Sequence, residues 1–279
     1  MDKNNKNIHI PTFLKWAGGK RRILPLLETH FPKKVNCYFE PFLGGGSVFF
    51  YFKKKYNPKL CIISDSNEDL INSYLDVRDN PKLLIKELYK FKKNNSEDFY
   101  YSVREKFNKK KYNKRIERSA AFIYLNKTCF NGLYRVNKNN EFNVPFGKSA
   151  NPGILEEEII YEASSLLNDN VIIKIQDYKE INKIAKKGDF VYLDPCYDPL
   201  KKTSFVQYTP SVFCEQDRLD LFNFIENLKK KMVNFLLSNN DIPEIRKLYK
   251  KFNINEIMVA RFINSKSNGR QKIKELVIK

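Results

Sequence analysis

An apolar run, residues 190–193, ends in Asp194-Pro195-Cys196-Tyr197, which sets a carboxylate and an aromatic ring side by side at the end of a strand-like segment. Proline cannot donate a ladder hydrogen bond, so Pro195 stops the strand and stiffens the turn after it. In an open α/β sheet the rim beyond the strand ends is where ligands bind. An isolated D-P-x-Y reads equally well as a strand–turn closed by an Asx cap. The choice depends on the other residues the chain brings to that rim.

Three further stretches carry chemistry. Trp16-Ala17-Gly18-Gly19-Lys20 combines backbone that can approach a ligand closely with positive charge on Lys20, Arg21 and Arg22, ahead of a helical stretch over residues 23–28. It reads as a ligand loop or as a polar loop closed by a buried Trp. A strand over residues 35–39 leads into Glu40-Pro41-Phe42-Leu43-Gly44-Gly45-Gly46-Ser47, where Ser47 is placed to cap the next helix. Strand, glycine turn and helix form the first unit of a nucleotide-type α/β fold. G-x-G-x-x-G spacing and a Walker lysine are missing, which disfavours NAD and ATP. A second strand, residues 60–64, ends at Asp65, about 20 residues after the glycines, where dinucleotide folds grip ribose hydroxyls. Asp65 can also serve as the N-cap of the helix over residues 70–78. Together the turn and this acid point to a ligand bearing adenosine.

The elements positioning these residues read as an α/β chain with an interruption. Residues 83–93, 96–107 and 116–125 are helical in pattern, and a β-hairpin follows, one limb over residues 126–137 with Asn131-Gly132-Leu133-Tyr134-Arg135-Val136-Asn137, a polar tip at 138–140 and a returning limb over 141–148 with Pro145. Strand–helix alternation resumes with a strand at 171–175, which ends in Gln176-Asp177-Tyr178. Helices at 215–228 and 242–250 and strands at 233–237, 253–259 and 273–278 follow. The division expected is a catalytic domain of residues 1–79 and 166–279 with an insert of residues 80–165.

Charge names the partner class. Lys and Arg number 51 against 32 Asp and Glu, a net charge of +19, and such a field attracts polyanions, nucleic acid first and anionic membrane second. Lys, Asn and Ile are abundant throughout, so a composition bias contributes to that charge. Five widely spaced Cys without a C-x-x-C pair disfavour a disulfide framework and a zinc site, and two His leave little for a metal cluster or a Ser-His triad. Without an apolar leader or an 18-residue apolar run, the expectation is a cytoplasmic, metal-free protein that does not enter the membrane.

The ordered set W-A-G-G-K, E-P-F-x-G-G-G-S, S-D-x-N, N-G-L-Y-R-V-N, E-F-N-V-P-F-G and D-P-x-Y resembles the Dam-type (D12 class, alpha-group) DNA adenine-N6 methyltransferases over nearly the whole chain, and most closely the pneumococcal-type GATC methylases. The resemblance implies a Rossmann-like sheet that binds S-adenosylmethionine (SAM), releases S-adenosylhomocysteine (SAH) and needs no metal, with a helical target-recognition insert carrying the hairpin. It places Trp16, Ala17, Gly18 and Lys20 around the methionine end of SAM, Phe42, Gly44 and Gly46 beneath it, Asp65 on the ribose, and Asp177 and Tyr178 at the adenine. Asn131, Leu133, Arg135, Asn137 and Pro145 fall on hairpin positions that contact double-stranded DNA. Asp194, the Pro195 carbonyl and Tyr197 become the catalytic group, with Asp194 also lining the cofactor site. A monomer is implied, and the resemblance leaves room for a cognate GATC restriction endonuclease. One departure stands out: the family usually has Pro where this chain has Cys196, which frees a backbone N–H and loosens the turn, so activity is expected to be retained or reduced. Competing readings are an adenine methylase of another site, an RNA or protein-glutamine methylase, and a DNA-binding homologue whose site Cys196 has spoiled.

Overall fold

The structure, a computed structural model, describes residues 8–195, 215–260 and 272–279. In chain order the elements are α1 (Leu24–Glu28), β1 (Cys37–Glu40), α2 (Ser47–Tyr56), β2 (Leu60–Asp65), α3 (Glu68–Asp79), α4 (Pro81–Lys93), α5 (Glu97–Asn108), α6 (Arg115–Thr128) and α7 (Glu157–Asn168). Then come β3 (Val171–Ile175), α8 (Ile181–Ile184), β4 (Phe190–Leu193), α9 (Glu215–Lys230), β5 (Asn234–Asn240), α10 (Pro243–Leu248), β6 (Ile254–Ala260) and β7 (Lys272–Ile278).

Seven strands form one sheet in the order β3-β2-β1-β4-β5-β7-β6. The strands β1 to β5 pair in parallel, and β7 lies antiparallel between β5 and β6. This is a Rossmann-like sheet. The chain builds outward from β1 through β2 to β3, then crosses back to lay β4 on the other side of β1. The gap between the β1 and β4 ends is therefore the topological switch point, where such sheets hold ligands.

Strand composition follows from burial on both faces. Tyr38, Cys61, Ile63, Phe190, Tyr192, Leu236 and Val277 pack into one apolar cluster, while Cys37, Phe39, Ile62, Val191, Leu193, Leu237, Leu276 and Ile278 pack into a second. Alternate residues of each central strand thus serve opposite faces, which is why these strands read as unbroken apolar runs. The second cluster is closed by α8, α9 and α10 through Ile181, Leu221, Phe224, Ile225, Leu228 and Ile245. The first is covered by α1 and α2 and continues without a break into α4, α5 and α6. Residues 119–128 of α6 are buried on every side, as expected for a helix at the centre of a packed group. Its first turns are tied to α3 by charge: Arg115 and Ser119 bond Asp76 at 2.8 and 2.6 Å, and Arg118 bonds Asp69 at 2.5 and 2.8 Å.

Several sequence expectations change in detail. The helix expected over residues 23–28 forms as α1, starting one residue later at Leu24, and a 3-10 turn, Lys20–Arg22, precedes it. Ser47 does not cap α2. The cap is Gly46, which adopts φ +66°, and no side chain satisfies that end. The N-cap of α3 is Asn67, whose Oδ1 accepts from Leu70 N at 3.1 Å, so Asp65 is spared that duty. Helix α7 is a further element, signalled by Ile160, Ala163 and Leu167, and it runs through the position where the insert was expected to end. The hairpin forms as an irregular antiparallel pair with isolated bridges at Cys129–Phe146 and Val136–Phe142. A 3-10 turn at Phe130–Gly132, with Asn131 at φ 55°, breaks its first limb. On the second limb Pro145 has no N–H to give, and the backbone at Val144 and Phe142 bonds side chains of α5: Tyr100 at 2.7 Å, Arg104 at 3.0 Å and Asn108 at 3.0 and 2.9 Å.

Candidate active site

Three parallel strands end in acids: β1 in Glu40, β2 in Asp65, and β4 at Asp194, the residue after its last. Period-2 packing buries the strands, and their carboxyl ends carry the polar groups to the rim. Each acid there has a different set of partners.

Asp194, 21% exposed at its side chain, accepts an ion pair from Lys20 Nζ to Oδ1 at 2.9 Å. Lys20 is buried in the 3-10 turn that follows the Trp16–Gly19 loop, and its Nζ also reaches Glu275 Oε1 at 3.3 Å and Gly18 O at 3.2 Å. Burial alone would lower the Lys20 pKa; Asp194 and Glu275 reverse that and hold it raised, so the ammonium is charged. The structure therefore seats Lys20 under the carboxylate of D-P-x-Y. Pro195 is buried behind Asp194. Tyr197, with Cys196, lies outside the described residues.

Asp65 accepts Gly44 N at 3.2 Å on Oδ2 and Asn67 N at 3.0 Å on Oδ1, which ties the glycine turn to the end of β2. Burial pushes its carboxyl pKa up, opposed by those N–H bonds and one from Ser66. Glu40 is buried beneath the turn, with the Tyr38 hydroxyl donating to its Oε2 at 2.5 Å. Burial drives its pKa well up and the charge of Asp194 adds to this, against the bonds from Tyr38 and Phe49 N.

The glycine turn is shaped by its neighbours. A Cβ on Gly44 would stand 2.8 Å from the Trp16 indole, one on Gly45 2.9 Å from Trp16 Cβ, and one on Gly46 2.6 Å from the Tyr74 hydroxyl. Trp16 in turn stacks on Tyr134 of the hairpin, with centroids 5.5 Å apart and planes within 16°. Gly18 is different: at φ +80° it has no heavy atom within 4 Å of a Cβ position, so it faces open space. Phe42 lies against Tyr178 at 5.2 Å, and Asp177 caps the turn before α8 by accepting Lys179 N at 2.8 Å. Replacing Gly46 by Ala should cost about 1–3 kcal/mol of backbone strain. It should also displace Tyr74, whose hydroxyl donates to Gly44 O at 3.1 Å. A thermal melt checks the loss, and Gly46→Ala with Tyr74→Phe should recover only the steric part.

The hairpin is joined to the Trp16 loop at several points. Asn126, at the end of α6, accepts Lys15 N at 2.8 Å and donates to Lys15 O at 2.6 Å, Lys15 Nζ donates to Lys127 O at 3.1 Å, and Gly132 abuts the Lys15 side chain. Arg135 Nε donates to Asn143 Oδ1 at 2.7 Å across the hairpin. Asn137 folds its side chain into the tip, with Oδ1 accepting Asn139 N and Glu141 N at 2.9 Å and Nδ2 donating to Glu141 at 2.8 Å. Leu133 is half-buried against the core, whereas Asn131 and Pro145 are exposed. Sequence reasoning missed Glu275, Asn126 and a role for Glu40. The signals were a charge inside the last apolar strand and an acid closing β1.

Residues 16–263 match the model of the D12 class N6 adenine-specific DNA methyltransferases. The chain belongs to that family. A Type II methyltransferase of Lactococcus lactis subsp. cremoris, M1.LlaDCHI, is 40% identical over all of this chain and 97% of its own length. Another from Methanocaldococcus jannaschii, M.MjaIII, is 42% identical over 97% of this chain and 99% of its own. The DNA adenine methylase of Escherichia coli K12 is 35% identical over 95% and 93% of the two chains. The methyltransferase is thus an enzyme acting on adenine N6 in DNA, and its family implies SAM as methyl donor. Among the described residues of this methyltransferase, no helix is long and apolar enough to cross a membrane.

A cleft of about 530 Å³, lined by His30, Phe190, Asn234, Phe235 and Lys279 among others, opens at the amino ends of β4 and β5. It is at the far end of the sheet from Asp194.

Proposed function

We propose that this methyltransferase transfers a methyl group to N6 of an adenine flipped out of double-stranded GATC. The single observation that carries the reading is the Asp194 carboxylate beside the β1–β4 switch point, with one oxygen held by buried Lys20. GATC as the site is supported by the hairpin sequence and by the DNA adenine methylases among the relatives.

The residues at the rim fit SAM. Gly18 leaves open space beside Trp16 and Ala17 for the methionine end, Phe42 with the left-handed Gly44 and Gly46 forms a floor, and Asp65 offers a carboxylate to ribose hydroxyls. Asp177 and Tyr178 would border the adenine. When bound, SAM supplies an electrophilic sulfonium methyl group and leaves as SAH. The chain's own residues handle the amine. The adenine N6 lone pair is delocalised into the ring, so the nitrogen must be made more pyramidal before it attacks. Asp194 and the Pro195 carbonyl accept its two hydrogens and favour that geometry. Taking the adenine out of the duplex costs about a few kcal/mol, and stacking on Tyr197 would offset roughly 1–3 kcal/mol of it. The proton leaves after transfer.

The hairpin with Asn131, Leu133, Arg135, Asn137 and Pro145, carried on the helices between α3 and α7, is the proposed reader of double-stranded DNA. Asn137 then contributes by shaping the tip, Asn131 and Pro145 are exposed, Arg135 lies across the limbs on Asn143, and Leu133 is half-buried against the core. Arg135→Ala should lower discrimination at one base pair by about 1–3 kcal/mol. Competition binding on single-substituted sites checks this, and an equal loss on every sequence would make Arg135 a phosphate contact instead. The enzyme would work in the cytoplasm, as a monomer, and protects GATC from any cognate endonuclease. Expression in a methylation-free host with genome-wide mapping of N6-methyladenine tests the proposal. Modification confined to GATC is expected; modified adenine at another site would overturn the specificity, and none at all would point to a DNA-binding homologue disabled at Cys196.

A further inference from the structure

We propose that Glu275 is a positioning residue for methyl transfer, acting on Asp194 through Lys20. The inference rests on the reading of Asp194 as the group that accepts the target amine.

Glu275 is carried to the active rim by the one antiparallel reversal in the sheet. Strand β7 enters where the parallel strands leave, and its register sets Glu275 opposite Asn240, the last residue of β5. There its carboxylate meets the Lys20 ammonium at 3.3 Å, while Asp194 holds the same ammonium at 2.9 Å. Side-chain exposures of 4% for Lys20 and 9% for Glu275 keep bulk water from screening the group. A charged residue inside Lys272–Ile278, between strands of the core, costs desolvation that a packed apolar side chain would avoid. Its position is explained by what it does to Lys20.

Two carboxylates share one ammonium, and Gly18 O of the cofactor loop takes part of it. With Lys20 paired to Asp194 alone, the ammonium would be drawn fully onto the catalytic oxygen and would withdraw charge from it. That weakens the carboxylate as acceptor for an amine N–H. With Glu275 on its other side, Lys20 is held back in a fixed place and orients Asp194, and the three groups together keep a net negative charge. A carboxylate has about four lone-pair sites, so an ammonium on Oδ1 is compatible with receiving an amine hydrogen. The residue thus acts on the chemical step and not on substrate binding.

The test uses the full-length enzyme with SAM and a GATC duplex. Glu275→Gln should lower the single-turnover rate by roughly ten- to a hundredfold, the scale of a small misplacement at a reacting centre. The KM for SAM and the Kd for DNA should change far less than the rate, because Glu275 itself is not among the residues assigned to either ligand and Lys20 keeps Asp194 and Gly18 O as partners. Glu275→Asp, which restores the charge, should recover most of the rate. In a Lys20→Met background Glu275→Gln should cost no further activity, since the intermediary is gone. Wild-type rate in Glu275→Gln, equal loss of rate and binding, failure of the Asp variant to recover, or additive losses with Lys20→Met would each overturn the proposal. Asp194→Ala in parallel separates the two readings. If it is inactive while Glu275→Gln is normal, only this inference fails; if it still methylates, the role of Asp194 fails first.

Discussion

Asp194→Ala is expected to reduce methyl transfer to adenine by about 10²- to 10³-fold, the range seen when one preorganised polar group is removed from a reacting centre. DNA binding should persist, because the hairpin and the basic helices bearing it are separate from the end of β4. Cofactor binding should also persist in large part, since Asp65, Phe42 and the glycine turn are built from β1 and β2. The substitution does more than remove an acceptor: it takes from buried Lys20 the carboxylate at 2.9 Å while Glu275 stays at 3.3 Å, so some loss in melting temperature accompanies it. Asp194→Asn separates the two effects. It keeps the shape of the side chain and an acceptor oxygen but gives up the charge, so a residual rate well above that of Ala would show that hydrogen-bond geometry contributes apart from charge. The measurements are single-turnover incorporation of labelled methyl, titration of SAM, and duplex binding for each variant. Turnover of Asp194→Ala at the wild-type rate would sink the assignment.

What could be read from the sequence and what could not follows the sequence separation of the contacts. Strands β2 and β4 are evident because both of their faces are buried and each is closed by punctuation: Asp65 and Asn67 after one, Pro195 after the other. The glycine turn shows itself because three consecutive glycines after an apolar strand have few other uses. By contrast, the partner of Lys20 in β7 is 255 residues away and the partner of Lys15 in α6 is 111 away, so no local pattern announces either contact. The same holds for the hairpin. Alternating residues and a polar tip predict two limbs, but the backbone of the second limb is satisfied by α5 side chains 34 to 44 residues earlier, and regular strands do not form. Ser47 failed as a cap for a different reason. Gly46 is left-handed at φ +66° and has no room for a Cβ beside the Tyr74 hydroxyl, and as N-cap it makes the helix start one residue before a serine cap would allow. The need for glycine at Gly44 and Gly45 likewise arises from Trp16, which only the fold brings over them.

Lys20→Met should cost about 3–5 kcal/mol of stability, the range for removing one partner of a buried ion pair. Met keeps the length and volume of the lysine stem, so packing in the cavity changes little and the loss is electrostatic. Asp194 and Glu275 would then face each other without the ammonium between them, in a place where burial weakens the screening of like charges. The pH dependence has a definite sign. The folded Lys20 pKa is raised above its ordinary value of 10.5, so its contribution is fully present below that value and is lost as pH climbs through the folded value. Denaturant unfolding of wild type and variant should therefore differ by a constant amount through the neutral range, with the gap closing only in strong alkali. Activity should fall with stability, because the same ammonium orients Asp194. Partial recovery of the melting temperature by adding Glu275→Gln to Lys20→Met would follow from relief of the carboxylate repulsion. A Lys20→Met variant as stable as wild type would mean that water or backbone groups, not the two acids, set the energetics of this buried charge.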